Sequence, residues 1–82
     1  MNFQRIWEPL NAHADVAYLT DRTRVRRWSD AELSKKSGYL YQVEIHNEDR
    51  WIPVSQPFPH AASAWRRAER YVNAQMRVST PS

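Results

Sequence analysis

The residues able to do chemistry in this chain are mostly arginines. Arg22, Arg24, Arg26 and Arg27 fall within seven positions that close on Trp28, and a second series, Arg66, Arg70 and Arg77, lies further along. A guanidinium presents a rigid fork of donors that matches phosphate or carboxylate bidentately, and its flat face stacks on rings or bases. The chemistry expected is recognition of anions. Nothing comparable points to turnover. The three histidines, His13, His46 and His60, have no metal-ligand spacing, and the chain has no cysteine to complete a site. Carboxylates are few, and Asp21 stands next to Arg22, Asp49 next to Arg50 and Glu69 between Arg66 and Arg70, which suits charge pairing better than general acid work. No catalytic residue, metal or cofactor is assigned, and the protein is read as a non-enzyme.

Composition bounds the setting. With 82 residues the chain makes one domain, and at that size the buried fraction is small, so each large apolar side chain counts. Four Trp, four Tyr and two Phe supply bulk without disulfides. The absence of Cys removes disulfide scaffolds, thiolate zinc sites and thiol nucleophiles together. The opening MNFQRIWEPLNAH has no apolar run of signal length, and no segment approaches the roughly 18 apolar residues of a membrane span. A soluble, cytoplasmic protein is expected. The formal charge is +3, but residues 22 to 36 alone hold six basic and two acidic side chains, a local +4. That stretch includes Lys35 and Lys36.

The elements that must position these groups follow from periodicity. In the first segment Phe3, Ile6, Trp7, Leu10, Ala14 and Ala17 recur at helical spacing. Pro9 is tolerated only as a first helical residue, so an N-terminal helix is expected from Glu8 or Pro9, with Trp7 packing from an extended lead-in. Thr20, Thr23 and Val25 then favour extended structure, and a strand is expected over Arg24 to Trp28. In SDAELSKKSG, Ser29 and Glu32 form a capping box, Lys35 and Lys36 complement the helix dipole, and Gly38 fits a left-handed C-cap. A two-turn helix is expected there.

YLYQVEIH alternates, with Tyr39, Tyr41, Val43 and Ile45 on one face, which marks a strand. WIPVSQPF reads as an edge strand because Pro53 cannot donate to a ladder. Residues 60 to 77 form the clearest helix, with Ala61, Ala64, Trp65, Ala68, Val72 and Met76 turned inward and Arg66, Arg70 and Arg77 outward. The fold expected is α+β: a small antiparallel sheet of two or three strands against a C-terminal amphipathic helix, with the N-terminal and two-turn helices beside it. Residues 1–77 make the domain and 78–82 an unstructured tail.

RVRRW, Arg24 to Trp28, resembles the second helix of excisionase-like and MerR-like winged domains, which often read VRRW before a hairpin wing. The resemblance covers five residues and implies DNA binding; no functional residue is carried over from it.

Two functions are expected from different classes. In the first, an accessory or regulatory protein binds nucleic acid, DNA or RNA, through Arg24, Arg26, Arg27, Lys35 and Lys36, with Trp28 stacking and Arg66, Arg70 and Arg77 as a second cationic row. In the second, a small modulator or inhibitor of phage or plasmid type meets an acidic protein surface, anchored by Tyr41, Trp51 and Pro53 at the edge strand. The plain alternatives are a solvated strand edge whose charges prevent aggregation, and a Trp51 covered by Phe3 and Trp7. A homodimer pairing edge strands through residues 51 to 56 is a further option.

Overall fold

The computed structural model describes residues 6–29 and 38–79, with side chains through residue 74. Five strands, β1 (Glu8–Pro9), β2 (Ala14–Thr20), β3 (Thr23–Ser29), β4 (Tyr39–Asn47) and β5 (Arg50–Pro53), precede one helix, α1 (Ala61–Ser79). The strands form a single sheet in chain order, and every pairing is antiparallel. The sheet is thus larger than the two or three strands expected.

The N-terminal helix is overturned. Glu8 and Pro9 pair with Val16 and Asp15, and residues 14 to 20 form β2. Ala14 and Ala17 fit a helical spacing equally well, but in β2 they point to opposite faces and both are buried. A strand whose side chains are buried on both faces loses the polar alternation that would betray it. The expected two-turn helix falls on residues 30–37, outside the described residues; α1 is the one helix among those described. The expected tail is shortened, because α1 continues through Val78 and Ser79.

Chain reversals are tight. Thr20 pairs with Thr23 across Asp21 and Arg22, and the Arg22 amide donates to the Thr20 hydroxyl at 3.1 Å. Asn47 pairs with Arg50 across Glu48 and Asp49, with Glu48 in the left-handed region at φ 59°. Such two-residue connections suit antiparallel neighbours, and positive φ occurs in the second turn only, at Glu48.

The core lies between one sheet face and α1. Val25 and Val43 on the central strands, with Ala17 and Tyr41, meet Ala64, Trp65 and Ala68 of the helix. Ala64 and Ala68 have no exposed surface, as expected where a helix axis comes close to a sheet. Trp7 extends this core at one end, with ring centroids 5.8 Å from Tyr41 and 6.1 Å from Trp65.

After Pro53 the chain stays beside β4 but not in regular register. The Val54 amide donates to the Val43 carbonyl, and Tyr41 and Phe58 exchange both backbone bonds. Residues 54 to 58 therefore span what β4 covers between Val43 and Tyr41, so the chain bulges at 55–57. Side chains repair the ladder: the Val43 amide donates to the Ser55 hydroxyl at 3.0 Å, that hydroxyl donates to the Gln56 carbonyl, and the Gln42 amide donates to the Ser55 carbonyl at 2.8 Å.

The close approach of α1 gives a test. Replacing Ala68 with Leu should force helix and sheet apart and lower stability by about 1–3 kcal/mol in urea unfolding, whereas Ala62→Leu on the exposed side should leave the midpoint nearly unchanged.

Candidate nucleic-acid interface

Strand alternation divides the arginines of the RTRVRRW stretch between two faces. Val25 faces α1, so Thr23 and Arg27 share that side while Arg24, Arg26 and Trp28 face away. The register across the sheet then places Glu8, Val16, Arg26 and Gln42 in one row of the outer face, Ala14, Trp28 and Leu40 in the next, and Tyr18, Arg24 and Glu44 on the other side. Arg22 is exposed in the turn.

Arg24, expected at a phosphate surface, is buried. Its Nε donates to Glu44 Oε1 at 2.9 Å, and the two side chains keep only 7% and 9% of their surface. Trp51 from β5 lies over the guanidinium at 4.1 Å, held by an edge contact to Tyr18 at 5.8 Å and by His46 at 5.1 Å. Trp7, expected to cover Trp51, packs on the α1 side instead, and Phe3, expected beside it, lies outside the described residues. Trp51 roofs an ion pair on the face opposite the helix.

Arg27 is also committed. On the α1 side its Nε donates to Asp15 Oδ2 at 3.0 Å, and its guanidinium lies 4.3 Å from the Trp7 ring centre and 4.9 Å from that of Tyr39. It closes the end of the core between two aromatic planes, a structural use of the same side chain.

Arg26 differs from both. Among the described residues it has no carboxylate partner, and its guanidinium rests over the Trp28 ring at 5.0 Å. Both side chains are half-buried on the outer face, above the buried Ala14, Val16 and Leu40. No described element packs on this face; α1 meets β3 and β4 from the other side. Of the expected nucleic-acid residues, Arg26 and Trp28 are the pair that a ligand on the open sheet would meet.

The remaining expectations are dispersed. Lys35 and Lys36 lie outside the described residues, and Arg77 lies in α1 beyond the last described side chain. Arg66 and Arg70 are exposed and join Arg67 and Ser63 along a groove against the 55–58 segment, on the other side of the sheet from Arg26. The two basic clusters do not form one surface. The alternative protein-binding set separates too: Trp51 and Pro53 share the outer face, whereas Tyr41 is buried against α1.

Sequence reasoning missed Glu44 and Asp15, the carboxylates that neutralise Arg24 and Arg27, because both pairs form across strands. It also missed Tyr18 and His46 as supports of Trp51, and Ser63 and Arg67 in the helical groove. The alternation of YLYQVEIH does place Glu44 and His46 on one face, which was the available signal. The five residues that resemble a winged-domain helix form β3, so the fold does not carry that likeness.

Among the described residues, the fold and site define a protein of one sheet and one helix whose outer sheet face carries aromatic rings, the Arg24 and Glu44 pair, and Arg26. Comparison with protein-family models, with curated proteins and with solved structures finds no match. Among the described residues no helix is long and apolar enough to cross a membrane, and no group of side chains could hold a metal ion.

The buried pair makes a two-part prediction. Glu44→Ala leaves a guanidinium buried without its counter-charge and should cost about 3–5 kcal/mol in denaturant unfolding, while Arg24→Met combined with Glu44→Leu should recover most of that loss.

Proposed function

We propose that the protein is a non-enzymatic nucleic-acid-binding protein that uses the outer face of its sheet. The observation that carries this reading is Arg26, which has no carboxylate partner among the described residues, lying over Trp28 on a face no described element covers. A cation beside an aromatic plane gives a ligand a phosphate contact and a stacking surface within one residue repeat. Along the same face Tyr18, His46 and Trp51 add further ring edges. The positive net charge of +3 favours encounter with a polyanion.

The physical form of the site also sets its character. Backbone contact by guanidinium carries no sequence information, and ring stacking accepts any base, so binding of low sequence selectivity is expected. Arg24 and Arg27 contribute by shaping the face and not by touching phosphate, since each is engaged with its own carboxylate. This narrows the binding role to fewer residues than the arginine count of the stretch implies.

Fluorescence anisotropy against labelled single-stranded RNA and random duplex DNA, at low and then physiological salt, tests the proposal. Binding should weaken steeply with salt, and Arg26→Ala should reduce the salt slope by about one contact for every sequence tried. Trp28→Ala should cost about 1–3 kcal/mol on single strands and much less on duplex. Absence of binding even at low salt would sink the proposal and redirect attention to an acidic protein surface as partner, with Trp51 as the residue to replace in a capture experiment.

A further inference from the structure

On the other side of the sheet, a groove of about 480 Å³ runs between α1 and the bulged segment 55–58. That volume falls within the roughly 300–1,000 Å³ range of small-ligand clefts. Three guanidiniums, Arg66, Arg67 and Arg70, line one wall, and Ser63 stands beside them. Phe58 and Gln56 line the wall facing the helix. Helical spacings of three and four bring Ser63, Arg66, Arg67 and Arg70 to one side of α1, whereas Glu69 lines a separate groove with Leu19 and Val72.

The charge arrangement is unusual for this protein. Where Arg24 and Arg27 serve the fold, each has a carboxylate at 2.9 or 3.0 Å. The three arginines of the groove have no carboxylate partner among the described residues, and no acidic side chain lines the groove with them. Like charges so close on one helix repel and lower its stability unless an anion joins them. The opposite wall is fixed, since Ser55 is held by the Val43 amide and the Gln42 side chain. The donors for an anion thus come from the helix wall, while the fixed opposite wall presents the Phe58 ring to the organic part of a ligand.

We propose that this groove is a binding site for a phosphate ester, with Arg66, Arg67 and Arg70 and the Ser63 hydroxyl on the phosphate oxygens and Phe58 against the organic part. The phosphate can come from a small phosphorylated ligand or from a nucleic-acid backbone. The site rests on the groove alone and stands whether or not the outer sheet face binds nucleic acid.

The test is amide NMR of the full chain in phosphate-free, low-salt buffer, titrated separately with inorganic phosphate and phenyl phosphate. Saturable shifts should centre on Gln56, Ser63, Arg66, Arg67 and Arg70, with phenyl phosphate the tighter ligand because it also meets Phe58. Arg66→Gln with Arg70→Gln should weaken both by about ten-fold or more. Both side chains are exposed, so the variant should fold, and its unperturbed sheet amides would verify that. Arg26→Ala should leave the groove's affinity unchanged. Shifts that spread over all basic residues without saturating, or an affinity the double variant does not alter, would overturn the proposal. A short oligonucleotide without terminal phosphates that displaces phenyl phosphate would assign the group to a nucleic-acid backbone; failure to displace it would assign a small ligand.

Discussion

A sheet of five strands has two faces, and among the described residues one helix is present to cover them. Everything on the α1 side follows the usual rule, with alanines on the helix permitting close approach to Val25 and Val43. The other side has no described layer, so its apolar floor of Ala14, Val16 and Leu40 must be sheltered by side chains of the sheet itself. Long amphipathic side chains do this: their stems and rings lie over apolar atoms while the polar ends reach water or one another. Arg26 over Trp28, and Trp51 over the Arg24 and Glu44 pair, are two versions of that solution.

This constraint explains why arginine is the residue used. A lysine ammonium in place of Arg24 could not lie flat beneath an indole while keeping a directed bond to Glu44, because it lacks the planar, delocalised fork. The same property lets Arg27 fill the space between Trp7 and Tyr39 and still bind Asp15. The basic character of the chain is thus partly architectural. Among the described residues the guanidiniums without a carboxylate are those of Arg22 and Arg50 at exposed hairpin ends, Arg26 on the sheet, and Arg66, Arg67 and Arg70 on the helix; the last four lie on the open sheet face or along a groove, where a ligand can seat.

The parts legible in the sequence were those where one face is buried and the other wet. The helical stripe from Ala61 to Ala68 and the alternation of Tyr39 to Ile45 both meet that condition, and Pro53 correctly marked an edge. β2 does not meet it: Ala14, Val16 and Ala17 are buried on two different faces, so the apolar positions kept a helical spacing by coincidence. The arginine stretch was legible as a strand but not as a site. Neighbouring guanidiniums of identical chemistry have different fates because cross-strand register, invisible in one strand alone, decides which meets Glu44, which meets Asp15 and which meets neither. The helical groove was half legible. The Arg66 and Arg70 spacing was visible, but the wall they face depends on a bulge that only the pairing of Tyr41 with Phe58 reveals.

The position of α1 after all five strands has a consequence for synthesis. As the chain emerges from the ribosome, the whole sheet is available before the helix that completes the core, so Trp7, Val25, Tyr41 and Val43 face water or a chaperone for a time. A half-finished sheet of this kind is liable to add strands from a second nascent chain. Its borders are poorly suited to that reaction. One ends in the two-residue β1 with Pro9, and the other runs through Pro53, a bulge, Pro57 and Pro59. Imino acids that donate no hydrogen bond stand along both margins, so the nascent sheet is guarded against intermolecular growth during the interval before its own helix arrives.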